Sequence, residues 1–195
     1  MACDRPFEGS IRYEVSVQGE AAPSLEPFLS GQELGFTLYQ RGDKVRIERS
    51  TEVVLVDYAQ DSFFVISPRD SSYWAFALSS GQDSLPGLTV SDLSQKRIIA
   101  GYECKGKRVE YVADGRRYST TYWEALALKP SAPCREQMPI LPRGVKVEGF
   151  PLRLEIAMSE LPFTLIHEAV EVQAKKLNDE LFAVPLSFRR ATKSL

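Results

Sequence analysis

The chain has 195 residues, of which 44% are hydrophobic and 26% charged, with a formal net charge of −2. That length suits a single domain of all-β size, and the ordinary globular balance argues against a disordered chain or a membrane-spanning segment. Without a long basic block the chain also lacks the clustered Lys and Arg that phosphate contacts require, which argues against a nucleic-acid partner.

Taken in order, the chain reads as strand after strand. Ile11, Tyr13, Val15 and Val17 alternate with Arg12, Glu14, Ser16 and Gln18, the period of a strand with one buried and one wet face; this first strand is expected over Phe7 to Val17. Gly19 to Glu33 follows as a connection with Pro23, Pro27 and Gly31, where Pro23-Ser24-Leu25-Glu26 suits one helical turn. Leu34 to Gln40 and Val45 to Arg49 then form a hairpin across Arg41-Gly42-Asp43-Lys44, with Gly42 free to take positive φ. Arg41-Gly42-Asp43 spells an adhesion tripeptide, which turn chemistry explains without a receptor.

Val53 to Tyr58 and Phe63 to Ser67 are two further strands. Their unbroken apolar runs, Val53-Val54-Leu55-Val56 and Phe63-Phe64-Val65-Ile66, imply burial on both faces, so something must cover the second one. Tyr73 to Leu78 is the next strand, and Ser79 to Leu88 a loop rich in Gly, Ser and Pro. Lys96 to Glu103, Lys107 to Val112 and Arg117 to Trp123 suggest a three-strand meander with turns at Lys105-Gly106 and Asp114-Gly115. The basic runs Lys105 to Arg108 and Arg116-Arg117 flank those turns and read as a solvated edge. From Ala125 to Gly144 four prolines (Pro130, Pro133, Pro139 and Pro142) exclude a central strand; a lid or crossover over the sheet is expected. Val147 to Met158 and Phe163 to Lys175 restore the alternation, Asn178 to Pro185 suits a short turn or helix, and residues 1–6 and 187–195 are expected to be flexible ends of a single domain.

Reactive chemistry is sparse. The single histidine lies in His167-Glu168-Ala169-Val170-Glu171, where regular strand geometry would put His167 and Glu171 on one face and Glu168 on the other, so no metal cluster is expected. Asp57, Asp61 and Asp70 are candidate general acids or bases, but each sits at a strand end or turn, where aspartate ordinarily accepts backbone N–H groups. There is no Gly-x-Ser-x-Gly elbow and no Cys-x-x-Cys pair. No catalytic residue, metal or cofactor is therefore expected. Cys104 falls in a strand and Cys134 in the proline-rich stretch. In an oxidising compartment a bridge between them would stabilise by roughly 3 to 4 kcal/mol in the chain-entropy model; otherwise both stay thiols. No signal-type apolar run precedes Cys3, which suits either a cytosolic protein or a mature segment whose Cys3 is an acylation site. The aromatic residues on strands are more suggestive. Trp74, Phe76 and Tyr122 would line an apolar pocket if they faced the hollow of a curved sheet.

Several stretches resemble one family. Lys96 to Lys105 (KRIIAGYECK) is similar to the I-x-G-Y-x-C-K strand of GLPGLI-type bacterial envelope proteins. Leu141-Pro142-Arg143-Gly144 and Gly149 to Ile156 (GFPLRLEI) occupy the place of that family's signature, with Phe150 for a leucine and Leu152 for its second glycine. Trp123, the closing Asp179 to Pro185 (DELFAVP) and the opening Phe7 to Tyr13 (FEGSIRY) also fit. The resemblance implies a mainly β, β-rich α+β fold: a strongly curved antiparallel sheet forming a half-open barrel, similar to the LolA and LolB lipoprotein carriers, with short helices or loops on its concave face. It also implies a periplasmic or outer-membrane-associated setting. The expectation that follows is a noncatalytic envelope protein binding a lipid or other hydrophobic small molecule in the concavity, the alternative being a protein–protein module of the envelope.

Overall fold

The computed structural model describes residues 5–20, 22–23, 35–79 and 85–191. The helical turn expected at Pro23 to Glu26 lies mostly outside these residues, as do the start of the strand expected from Leu34, part of the loop before Leu88, and Cys3. Twelve strands are described: β1 (Gly9–Gln18), β2 (Phe36–Arg41), β3 (Lys44–Arg49), β4 (Val53–Asp57), β5 (Ser62–Ser67), β6 (Ser72–Ala77), β7 (Thr89–Ile99), β8 (Tyr102–Ala113), β9 (Arg116–Ala125), β10 (Phe150–Met158), β11 (Thr164–Ala174) and β12 (Arg189–Arg190). They form one sheet in the order β12-β6-β5-β4-β3-β2-β1-β11-β10-β9-β8-β7. Every ladder is antiparallel except that of β12 with β6.

The sheet bends strongly in its second half. Cα atoms of β7 and β11 come within 8 Å although the strands lie four positions apart, a gap of about 19 Å if the sheet were flat. The two outermost strands, β12 and β7, are not paired with each other, so the sheet stays open.

The proline-rich segment leaves β9 and returns to its neighbour β10, so it is an excursion across the sheet face and not a topological crossover. It carries one short helix, α1 (Ala132–Glu136), opened by Pro133. Leu128, Cys134, Met138, Leu141, Val145 and Val147 from this excursion join Ile11, Tyr13, Leu38, Ile47, Val54 and Val56 in one core. Backbone bonds fix it in place: Phe7 N donates to Lys129 O at 2.7 Å, Phe150 N to Leu128 O at 2.9 Å, and Val147 N to Arg135 O at 3.0 Å.

The double burial expected of β4 and β5 has two different covers. Val54 and Val56 face the excursion, while Val53, Leu55 and Ile66 face the other way and pack against Val184 and Phe188. The chain end expected to be flexible is therefore docked over this second face as far as residue 191. Arg189 N donates to Ser71 O at 3.0 Å and Ala191 N to Tyr73 O at 2.7 Å. Just before it, Asp179–Phe182 forms the short 3-10 turn anticipated there, capped by the Asn178 side chain.

Two departures from expectation come from bulges. β7 begins at Thr89 rather than Lys96, and its register against β8 shifts between Asp92 and Lys96, so Leu93, Ser94 and Gln95 stand opposite Gly106. The turn joining these strands is Ala100-Gly101, with φ of 49° and 83°, not Lys105-Gly106, which lies inside β8. Glycine there serves a close approach: a Cβ on Gly106 would stand 3.0 Å from Trp123 Nε1 and 3.1 Å from Leu93 Cδ1. The Asp114-Gly115 turn forms as expected, with φ of 49° and 73°. In β11 the register shifts opposite Arg12 and Tyr13, leaving Val170 unpaired. One inserted residue reverses which side chains point inward.

Candidate functional site

Along the inner face Val56, Phe63 and Phe76 stand in one cross-strand row, since Val56 pairs with Phe63 in the β4–β5 ladder and Phe63 with Phe76 in the β5–β6 ladder. The Phe63 and Phe76 rings are 6.0 Å apart at 48°. Opposite them stand Met138, Pro139 and Leu141 of the excursion, leaving a cleft of about 460 Å³ between the two walls. Proline limits backbone pairing across this gap, so the excursion bounds the strand ends without extending the sheet. The Tyr58 hydroxyl donates to Gln137 O and ties the walls together at one end. Burial above all raises the Tyr58 pKa, keeping this hydroxyl protonated as a donor. Phe76 remains 43% exposed and forms part of the open lip.

The three aromatic residues expected to line a pocket are not brought together. Phe76 lines the cleft. Trp74 sits two pairs further along β6, opposite Val65, and is half-buried away from the lining. Tyr122 is fully buried in the core, where its hydroxyl donates to Lys146 O at 3.4 Å and burial raises its pKa. Sequence reasoning missed Tyr58, Phe63, Met138, Pro139, Leu141 and Arg143 as cleft residues. The usable signal was the doubly apolar β5 run beside a proline-rich segment already read as a lid.

Cys104 and Cys134 are both buried free thiols, so the bridge considered between them is not formed. Burial pushes the Cys134 thiol up to about 12 and that of Cys104 up to about 11, which leaves both poorly nucleophilic at neutral pH. The candidate acids do the work of turn residues. Asp57 accepts Gln60 N at 3.1 Å, Asp61 accepts Ser79 N at 2.9 Å, and Asp70 accepts the Ser67 hydroxyl at 2.8 Å. Arg41 of the adhesion-like tripeptide is engaged by Glu8 and Asp179.

The expected arrangement around His167 is overturned by the bulge at Val170. His167 pairs with Val15, Glu168 with Glu14, and Glu171 with Arg12, so Glu171 shares the outer face with Glu168 rather than the inner face with His167. Glu168 binds Arg153, and Glu171 binds Arg12 at 3.3 Å. Among the described residues no group of His, Cys, Asp and Glu is placed to hold a metal ion. His167 lies 5.6 Å from the Phe36 ring, and burial, reinforced by the Arg49 charge, lowers its pKa. The neutral form is thus favoured in the folded state, and folding stability should fall as pH drops below the unfolded value of about 6.5. The loss levels off below the folded pKa. Urea unfolding at pH 7.5 and 5.5 should show a smaller acid loss for His167→Gln than for the parent. Equal losses would mean that this histidine does not contribute.

One buried ionic arrangement had not been foreseen. Glu124 is fully buried, accepts Glu148 N at 2.8 Å and Gly149 N at 3.0 Å through one oxygen, and meets Lys107 Nζ at 3.0 Å through the other. Burial alone would lower the Lys107 pKa, but its hydrogen bond to Glu124 and the charges of Glu124, Glu148 and Asp92 outweigh burial and raise it. Neither Lys107 nor Glu124 lines the cleft; this pair fastens the start of β10 to β8 and β9.

No family model and no curated protein matches the chain. Among solved structures, that of PNGF-II in the C2 space group is similar, with a TM-score of 0.48 and 15% identity, over 89% of this chain and 29% of that one. The chain thus spans less than a third of the length of that structure.

Proposed function

We propose that this is a noncatalytic protein of the bacterial cell envelope that binds a lipid or other apolar molecule between the sheet and the proline-rich excursion. The observation that carries this reading is the apolar row that runs from buried Val56 through half-buried Phe63 to exposed Phe76, facing Met138, Pro139 and Leu141 across about 460 Å³. That volume falls within the range of about 300 to 1,000 Å³ common to small-molecule sites. Apolar area removed from water there is worth about 25 cal/mol per Å², so an alkyl chain needs few polar contacts to be held. The envelope setting, and a half-open barrel of LolA and LolB type, rest on the resemblances around Lys96 to Lys105 and Gly149 to Ile156; the bend that brings β7 near β11 is consistent with such a barrel.

Displacement of a fluorescent naphthylamine probe by dodecanol tests the reading. Phe76→Asp puts a charge on the cleft lip at a partly exposed position and should weaken dodecanol binding by about tenfold or more, some 1.4 kcal/mol. Unchanged affinity, or no displacement in the parent protein, would count against an apolar ligand in this cleft.

A further inference from the structure

A second hollow lies on the outer face of the sheet and shares no lining residue with the cleft bounded by Phe76 and Leu141. Strands β7 to β11 roll toward this face: Arg97 of β7 stands 4.2 Å over the Trp123 ring and 3.5 Å from Glu155 of β10, strands that a flat sheet would hold about 14 Å apart. Leu93 of the β7 bulge, Arg97 and Arg153 fill the roll around Trp123. Beyond them, toward the β8–β9 turn, a cavity of about 490 Å³ is left. Thr89, Glu110, Ser119 and Ala157 form one cross-strand row of its lining, and Val112 and Arg117 pair two residues further on. Glu110 lies four residues from Gly106, the partner of Trp123, so the period of two puts these side chains on the Trp123 face. Leu88, between the lining residues Gly87 and Thr89, packs against the core instead.

Deeper in the roll the charges are matched, since Arg153 binds Glu155 and Glu168, and Glu155 also engages Arg97. Glu110 and Arg117 differ: both are exposed and line the cavity, and neither has an ion pair with the other or with any described residue. They occupy opposite corners of a four-residue patch completed by Val112 and Ser119, and such diagonal neighbours lie about 7 to 8 Å apart. From this arrangement we infer that the cavity is a second ligand site, for a free α-amino acid with a large apolar side chain. The ammonium binds Glu110, and the carboxylate meets the planar fork of Arg117. Both groups sit on one carbon at bonds of about 1.5 Å, and a charge-assisted hydrogen bond of about 2.8 Å at each end carries the ligand across the diagonal. A ligand with a single charge would leave one of the two residues unanswered. Val112 and Ala157 border the remaining volume, which takes the apolar side chain.

Calorimetric titration with phenylalanine, N-acetylphenylalanine, phenylalaninamide and glycine tests the site. Each blocked form should bind about fivefold or more weakly than phenylalanine, near the upper end of what a partly exposed ion pair contributes. Glycine, which covers none of the apolar border, should also bind more weakly. Glu110→Gln should bring phenylalanine down to the level of N-acetylphenylalanine, and Arg117→Gln to that of phenylalaninamide; both positions are exposed, so the fold should survive. Arg108→Gln, on the same face but outside the lining, should leave phenylalanine affinity as it is. Equal affinity for phenylalanine and its blocked forms, or an Arg108→Gln loss matching that of Arg117→Gln, would overturn the two-point recognition. Glycine binding as tightly as phenylalanine would overturn the side-chain assignment, and no binding of phenylalanine would overturn the site while leaving the apolar cleft standing.

Discussion

Replacing Gly149 by alanine should cost more than about 3 kcal/mol, at or beyond the upper end of ordinary overpacking, and leave much of the protein unfolded in mild denaturant. An added Cβ would stand 2.2 Å from Ala125 O, 2.5 Å from Ala125 C and 2.8 Å from Leu126 N. All three are backbone atoms, so no side chain can rotate aside to make room. Relief would require β10 to move away from β9 at the Phe150–Ala125 pair, and with it the bond from Phe150 N to Leu128 O that anchors the excursion. Gly101 provides the contrast. It has φ of 83° and open space where a Cβ would go, so Gly101→Ala carries only the left-handed penalty of about 1 to 2 kcal/mol. Urea unfolding of the two variants should show a far larger loss for Gly149→Ala, against total stabilities of about 5 to 15 kcal/mol typical of domains. Equal losses would show that close backbone approach is not what requires glycine at position 149.

The same glycine shows what a single sequence conveys. Gly149 falls inside the strand expected over Val147 to Met158, whereas β10 starts one residue after it at Phe150; the reason for glycine there lies in Ala125, more than twenty residues earlier, and strand periodicity contains no trace of it. Periodicity located most strands because each has a face to bury, and the runs in β4 and β5 showed that two faces needed cover. It could not show that Val184 and Phe188 provide one of those covers, since the closing segment is too short and mixed to display a period. Bulges were invisible for a related reason: the extra residues Val170 and Leu93 to Gln95 are defined only against a partner strand. That is why the face of Glu171 came out reversed, and why Lys105-Gly106, which stands inside β8 opposite the β7 bulge, reads as a turn. For the cleft, Phe76 and Tyr122 carry the same signal, an aromatic residue on an alternating strand. Whether such a ring is sealed in the core or left at a lip depends on where the excursion lies, which its prolines do not specify. Glu124 was the missed legible residue. A lone acid in the run Tyr122-Trp123-Glu124-Ala125 is a sequence-level sign of a buried charge that must have a partner.

That partnered charge leads to the second large effect. Glu124→Ala should destabilise the fold by about 3 to 5 kcal/mol, the usual result of breaking a buried pair from one side. Two backbone donors, Glu148 N and Gly149 N, would lose their carboxylate acceptor, and Lys107, whose side chain is only 16% exposed, would lose its nearest counter-charge and keep Glu148 at 3.7 Å. Glu124→Gln should cost less, because an amide oxygen can still accept from the backbone pair and only the nearest counter-charge of Lys107 is lost. The two contributions separate in a double-mutant cycle. If the stranded lysine dominates, adding Lys107→Met to Glu124→Ala should recover a large part of the loss. If the backbone bonds dominate, the second substitution should recover little, and Glu124→Gln should lie close to the parent. Additive losses in the cycle would mean that the two side chains act independently, and the latch between β8, β9 and the start of β10 would then owe nothing to their pairing.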